Sequence, residues 1–143
     1  KKKNTMAVSG RTRKIYLSSS DKTTNTWIVG ETSNSLDISR ETFGGGAKED
    51  EWDDFFAGRG SWTASASFNL DNSADKNQIS LLSSLIAGTK VYLFIGTVTG
   101  GAQTEGVWGE ALVTSVSESN ADGSVSSRDV SFQGCGAPVK VPA

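Results

Sequence analysis

The chain contains no histidine. That removes the commonest general base and the commonest transition-metal ligand from its chemistry. It has a single cysteine, Cys135, so no intrachain disulfide can form. Without imidazole a Ser–His or Cys–His nucleophile is impossible, and one thiol alone cannot build a zinc site of the usual nitrogen and sulfur kind. A lone thiol is compatible with folding in a cytoplasm. Proline is scarce: Pro138 and Pro142 are both near the carboxyl end. No apolar run approaches the roughly 20 residues that span a bilayer. The basic amino terminus is not followed by the apolar stretch of a secretory signal, so no membrane partner is expected. A net charge of −2 supplies no bulk attraction for nucleic acid.

What is present is the material of one ordinary domain. The 143 residues are 36% apolar and 21% charged, enough for a single core and too short for two. Glycine, serine and threonine separate short apolar runs, which points to a β-rich chain with many turns. Charge is unevenly spread. Lys1, Lys2, Lys3, Arg11, Arg13 and Lys14 crowd the start, and Glu49, Asp50, Glu51, Asp53 and Asp54 crowd one central segment. Such patches are either opposite halves of a self-assembly contact or a solvated tail and loop.

Residues 1–12 are polar and aperiodic and read as a flexible basic arm. Strands are expected over Arg13–Leu17, Thr26–Glu31 and Ser35–Phe43. The pattern then breaks over a long loop, 43–61, with three glycines, the acidic cluster, and Trp52, Phe55 and Phe56. Loops beyond about 12–15 residues are usually functional or disordered, and a disordered linker rarely holds such aromatics. The segment is expected to order against something: a neighbouring chain, or the end of its own barrel.

Trp62–Leu70 alternates strictly, with Trp62, Ala64, Ala66, Phe68 and Leu70 facing one way and Thr63, Ser65, Ser67 and Asn69 the other. A helix is expected over roughly Ser73–Ala87. Asn72 or Ser73 would be its N-cap, Ile79, Leu82 and Ile86 its apolar stripe, widened by Leu81 and Leu85, and Gly88 its left-handed C-cap. Lys90–Thr97 is continuously apolar at its centre, which requires cover on both faces, from a second sheet or a neighbouring subunit. Gly106–Ser119 and Ser124–Gln133 form a hairpin turning at Gly123, and an extended tail follows. These elements define an all-β domain with one packed α-helix, sandwiched or closed to avoid bare edges.

Catalytic and binding motifs are missing. Gly44-Gly45-Gly46 lacks the lysine ending and following helix of a phosphate loop. The acids at Glu49–Asp54 do not have EF-hand spacing, and solvated acids are the commoner case. No two carboxylates are marked as a glycosidase pair. Cys135, between Gly134 and Gly136, reads as a small residue in a tight bend with no neighbouring cation to activate it. No enzyme activity and no cofactor are expected.

The segment Val107–Ala137, VWGEALVTSVSESNADGSVSSRDVSFQGCGA, resembles the closing hairpin of the major tail tube proteins of long-tailed siphophages. The matching positions are Gly109, Ala111, Val113–Ser115, Asp122-Gly123, Ser131–Gly134 and Gly136. The order of Trp52, Gly58, SWTASASFNLD and ISLLSSLIAGTKVYLFIG before it fits the same family, so the resemblance spans roughly Arg13–Ala137. Its most specific part is SFQGCG. The family usually has a small polar residue at the position of Cys135, and the Gly44–Gly46 run and dense acids are particular to this chain.

The resemblance implies a tail-tube-type β-sandwich or barrel over 13–137, with 138–143 as a C-terminal tail. It implies a structural virion protein of the bacteriophage tail, assembled in the host cytoplasm into stacked homo-hexameric rings. Tape-measure, tail terminator and baseplate or tip proteins would be partners, and DNA would pass through the lumen at ejection without specific binding. The lumen is expected to be lined by Ser, Thr, Asp and Glu. Phe43, Trp52, Phe55, Phe56, Arg59 and Trp62, together with Arg11, Arg13 and Lys14, are the expected contacts between subunits or rings. Two other readings remain: a monomeric or dimeric β-barrel module for a ligand or glycan, and the tube of a related contractile injection system.

Overall fold

A computed structural model describes residues 12–28, 30–49, 51–70 and 76–142. The basic arm is therefore described only at Thr12, and the expected N-cap, Asn72 or Ser73, lies outside the described residues. The elements are β1 (Lys14–Ser18), β2 (Asn25–Trp27), β3 (Glu31–Gly44), β4 (Phe55–Asn69), α1 (Lys76–Ala87), β5 (Lys90–Thr99), β6 (Ala102–Ser119) and β7 (Ser127–Val141). The strands form one antiparallel sheet in the order β2-β1-β5-β6-β7-β4-β3.

That sheet is rolled rather than flat. β1 and β3 stand five places apart, about 24 Å across a flat sheet at roughly 4.8 Å per strand. Yet a Glu31 carboxylate oxygen accepts the Ile15 backbone N–H at 3.0 Å, and the Asn34 amide donates to the Arg13 carbonyl at 3.2 Å. The two ends of the sheet are thus clipped together by side chains. Inside the roll, Ile15, Ile28, Trp62, Ala64, Ala66, Phe68, Leu93, Ile95, Ala111, Val113, Val130 and Phe132 form one buried cluster with Leu81 of the helix. The fold is all-β with one packed helix, as the patterning suggests, and closes as a single curled sheet instead of two stacked ones. Trp62, Ala64, Ala66 and Phe68 point inward in strict alternation.

The apolar centre of β5 is buried on both faces, by the core on one and by its own hairpin on the other. Leu93 and Ile95 face the core, while Phe94 faces the other way beside Tyr16 (ring centroids 6.1 Å), and Tyr92 stacks on Trp108 at 5.3 Å. Ser18 pairs with Tyr92, which pairs with Glu110. A straight β6 would carry Gln103 about 23 Å beyond Glu110. Instead the Gln103 amide donates to Ser18 Oγ at 3.1 Å and to Asn25 Oδ1 at 2.8 Å, and Asn25 donates to the Gly101 carbonyl. The β5–β6 hairpin therefore folds back over its own outer face. The bend falls where Gly96 and Gly106 stand opposite each other with no room for a Cβ on either. Neither a second sheet nor a neighbouring subunit is needed to cover this face.

The hairpin closes with Gly100 (φ 60°) and Gly101 (φ 83°), the two positive values of a type I′ turn that matches strand twist. Patterning alone ends β5 at Thr97 and begins β6 at Gly106; both strands run on to this turn.

Helix α1 ends as expected. Gly88 has φ 69°, its N–H bonds to the Leu85 carbonyl, and the Thr89 N–H bonds to Ser84, a Schellman cap. Its buried face falls on the residues that widen the expected stripe, Leu81 and Leu85, and the side chain of Ile79 lies outside those described. Gln78 and Leu81 are buried and Leu85 packs on the core, whereas Ile86 is 80% exposed. The register is set by Gln78, whose amide donates to the Asn69 carbonyl while its oxygen accepts from Arg128. Arg128 in turn donates from Nε and Nη2 to Glu118.

Two boundaries need correction. The segment 43–61 is not a long loop: β3 runs to Gly44, β4 starts at Phe55, and only 45–54 connects them. The segment 138–143 is not a free tail as far as Val141, which pairs with Gly106. Proline is tolerated there because Trp108↔Val139 and Glu110↔Cys135 leave Gly136 (φ 75°) and Pro138 in a bulge.

Candidate assembly surface

The β3–β4 hairpin projects its end away from the core. Phe43 pairs with Phe56 and Gly44 with Phe55, so two rings share one face and the third occupies the other. The glycines explain the geometry: a Cβ on Gly45 would stand 2.1 Å from the Phe56 ring, and one on Gly58 2.6 Å from the Phe43 ring. Each aromatic lies flat on bare backbone across from it. The connection is held by the Gly45 N–H to the Asp54 carbonyl (2.8 Å) and the Phe55 N–H to the Asp54 carboxylate (2.9 Å). Phe43, Phe55 and Phe56 remain 58–60% exposed and Trp52 84% exposed. Glu49, Glu51, Asp53 and Asp54 surround them, all exposed. This is an ordered apolar tip inside an acidic collar, left largely uncovered by the described residues of its own chain.

The remaining expected contacts divide. Arg59 lies exposed in the irregular stretch between Arg40↔Gly60 and Thr42↔Ala57. Arg11 lies outside the described residues. Arg13 and Lys14 do not form a reaching arm: the Arg13 guanidinium is paired with Glu105 at 2.6 Å, and the Lys14 ammonium stands over the Trp27 ring at 4.0 Å. Trp62 is overturned as a contact. It is 3% exposed, and its indole N–H donates to the Gly136 carbonyl at 3.1 Å. Patterning alone starts β4 at Trp62, seven residues after its start at Phe55, and so puts this indole beside the tip aromatics.

A second surface comes from strand alternation. Rows of paired residues cross the sheet: Ser35, Ser65, Ser131 and Ser115 in one, and Ser33, Ser67, Asp129 and Ser117 in the next. Asp37, Thr63 and Gln133 continue the face. Cross-strand bonds order it, with Ser35 and Ser65 hydroxyls 2.6 Å apart and Ser67 donating to Asp129 at 2.6 Å. These rows carry hydroxyls and two carboxylates and no lysine or arginine.

A third feature had no sequence signal. The fold-back of the β5–β6 hairpin leaves a pocket of about 570 Å³ between its tip and the end of β7, lined among others by Lys22, Gln103, Val139, Lys140 and Val141. The loop above it is tied by Asp21, whose carboxylate accepts from the Ser19 and Thr23 hydroxyls and the Thr23 N–H. Those hydrogen bonds hold its pKa down at about 2. Among the described residues no group of His, Cys, Asp and Glu is arranged to hold a metal ion.

The rolled sheet, single helix and projecting hairpin define a tail-tube fold. Over 94% of this chain and 99% of the other, it superposes with TM-score 0.75 at 16% identity on a chain from the tail of an empty gene transfer agent particle, a tail with C6 symmetry. It superposes with TM-score 0.72 at 14% identity on the SPP1 tail tube protein, over 94% of this chain and 78% of that one. A chain from the sheath–tube complex of an extracellular contractile injection system, PVC, gives 0.67 at 11% identity, over 96% and 93%. No family model matches the chain, and no curated protein matches it in sequence.

Proposed function

We propose that this chain is a structural tail tube subunit that assembles with copies of itself into stacked hexameric rings in the virion tail, forming a conduit for DNA at ejection. The observation that carries the reading is the ordered, uncovered aromatic tip. At roughly 25 cal/mol per Å², burying the exposed part of rings of about 150–250 Å² stabilises an interface by about 2–4 kcal/mol each. An exposed ion pair contributes only about 0–1 kcal/mol. Ring burial therefore drives the contact and the acidic collar modulates it.

The fold likeness to tail tubes supports the same reading, and so does the hydroxyl-rich face, which suits a lumen that lets a polyanion slide past. Tape-measure, terminator and baseplate or tip proteins would meet the tube at its bore and ends. Negative-stain electron microscopy of the purified chain at rising concentration tests the proposal. Rings or tubes are expected, and a monomer at every concentration overturns it.

A further inference from the structure

The apolar tip needs a receptor, and the pocket beside the folded-back hairpin fits it in shape, polarity and charge. Its volume of about 570 Å³ lies in the range of about 300–1,000 Å³ that takes a small organic group, ample for one indole. Val139 and Val141 supply an aliphatic wall, and Lys22 and Lys140 stand at its rim. Lys22 adopts φ 66° in the loop braced by Asp21, which puts its ammonium over the Trp108 ring at 5.0 Å. No carboxylate among the described residues pairs with either lysine.

The tip presents the complement: Trp52, the most exposed of its rings, with exposed Glu51, Asp53 and Asp54 next to it along the chain. The other large cleft, of about 840 Å³, is lined mostly by polar residues, and its guanidinium, Arg13, is already paired with the Glu105 carboxylate.

We propose that the pocket receives the β3–β4 tip of a second copy of this chain, with Trp52 between Val139 and Val141 and the flanking acids against Lys22 and Lys140. Donor and acceptor are different surfaces of one chain, so the contact is heterologous. Repetition of such a contact builds a ring or an open stack and not an isolated pair. The inference rests on the tube-subunit reading and adds the identity of the receptor.

Cysteine cross-linking tests it in the full-length chain, with Asp53→Cys and Lys140→Cys in a Cys135→Ser background, which leaves Trp52, Val139 and Val141 in place. Oxidation of assembled protein should give a ladder of covalent multimers, because a disulfide forms only when the Cα atoms approach within about 7 Å. A charge exchange gives the second arm. Lys22→Glu with Lys140→Glu should raise the concentration needed for assembly at least about tenfold, and Glu51→Lys, Asp53→Lys and Asp54→Lys in the same chain should restore it. Circular dichroism melts verify that each variant is folded.

Tubes that form without cross-links, cross-links confined to single chains, or folded charge variants that the exchange does not restore would overturn the receptor and leave the tube reading standing. Absence of any assembly by the unsubstituted chain overturns both.

Discussion

Gly134 lies directly beneath the indole of Trp62: a Cβ at that position would stand 2.2 Å from both Cε2 and Nε1. Gly109 faces the same ring from β6, with 2.6 Å to Cζ2. The indole thus fills the space that two adjacent strands leave by having no side chains there.

Gly134→Ala is therefore expected to destabilise the fold by about 1–3 kcal/mol through overpacking, read as a lowered urea midpoint. Trp62→Phe in the same chain should recover part of the loss, giving a coupling of about 0.5–3 kcal/mol in the double-mutant cycle. Strict additivity would show that the ring and the glycine do not compete for space.

The Gly100–Gly101 turn closes the hairpin that folds back beside Phe94. Gly101→Val places a β-branched residue at φ 83° and should cost about 1–2 kcal/mol. Gly100→Asn should be tolerated within about 0.5 kcal/mol, since asparagine suits the first position of a type I′ turn. Equal urea midpoints for the two variants would contradict this turn assignment.

Replacing Trp52, Phe55 and Phe56 together by serine is expected to leave the melting temperature of the monomer unchanged while abolishing tubes in electron micrographs. Raising salt should shift wild-type assembly only modestly, because exposed charges are screened while apolar burial is not. A large loss of monomer stability would mean that the rings belong to the domain's own core.

Glu118 is held below the usual carboxylate range, first by the hydrogen bond from Arg128 and then by that residue's charge. A depressed folded-state pKa stabilises the fold fully above the unfolded carboxylate value, and that contribution disappears as pH falls through the lower folded value. Acidification from about pH 7 to about pH 2 should therefore lower the melting temperature of the wild type more than that of Glu118→Gln. Identical pH profiles would remove Glu118 from the link between α1 and the sheet.

If the serine face lines the bore, Ser65→Lys with Ser131→Lys should make assembled tubes retain DNA at about 150 mM salt, with retention falling steeply as salt rises. Wild-type tubes should not retain it. Lysine-bearing tubes that ignore DNA would place this face outside.

How much of this was legible in the chain depends on range. The alternation of Trp62–Phe68 and the Gly88 cap are local, and both stand in the structure as read. The tip aromatics were marked by composition, but their strands were not, because glycines beside Phe43 and Phe56 read as a loop when they are seats for the rings. The burial of Phe94 was legible and its cause was not: a hairpin folding onto its own face leaves no periodic trace, although Gly96 and Gly106, one in each strand, were the available sign. Gln78 is buried and Ile86 exposed because Asn69 and Arg128, distant in sequence, offered Gln78 partners. Lys22 and Lys140 meet at one pocket only after β7 has closed the sheet.

The strand order also has a consequence for synthesis. β1 joins the sheet only through β5, where Lys14 meets Gly96, while β3 and β4 pair with each other across a short connection. As the polypeptide leaves the ribosome, the β3–β4 hairpin can take shape before the strand beside β1 has been translated. Local pairings form faster than distant ones, so for that interval each nascent copy displays its exposed aromatic end without a finished body behind it. Crowded polysomes would then be a hazard for premature clumping, and pacing of translation a means of limiting it.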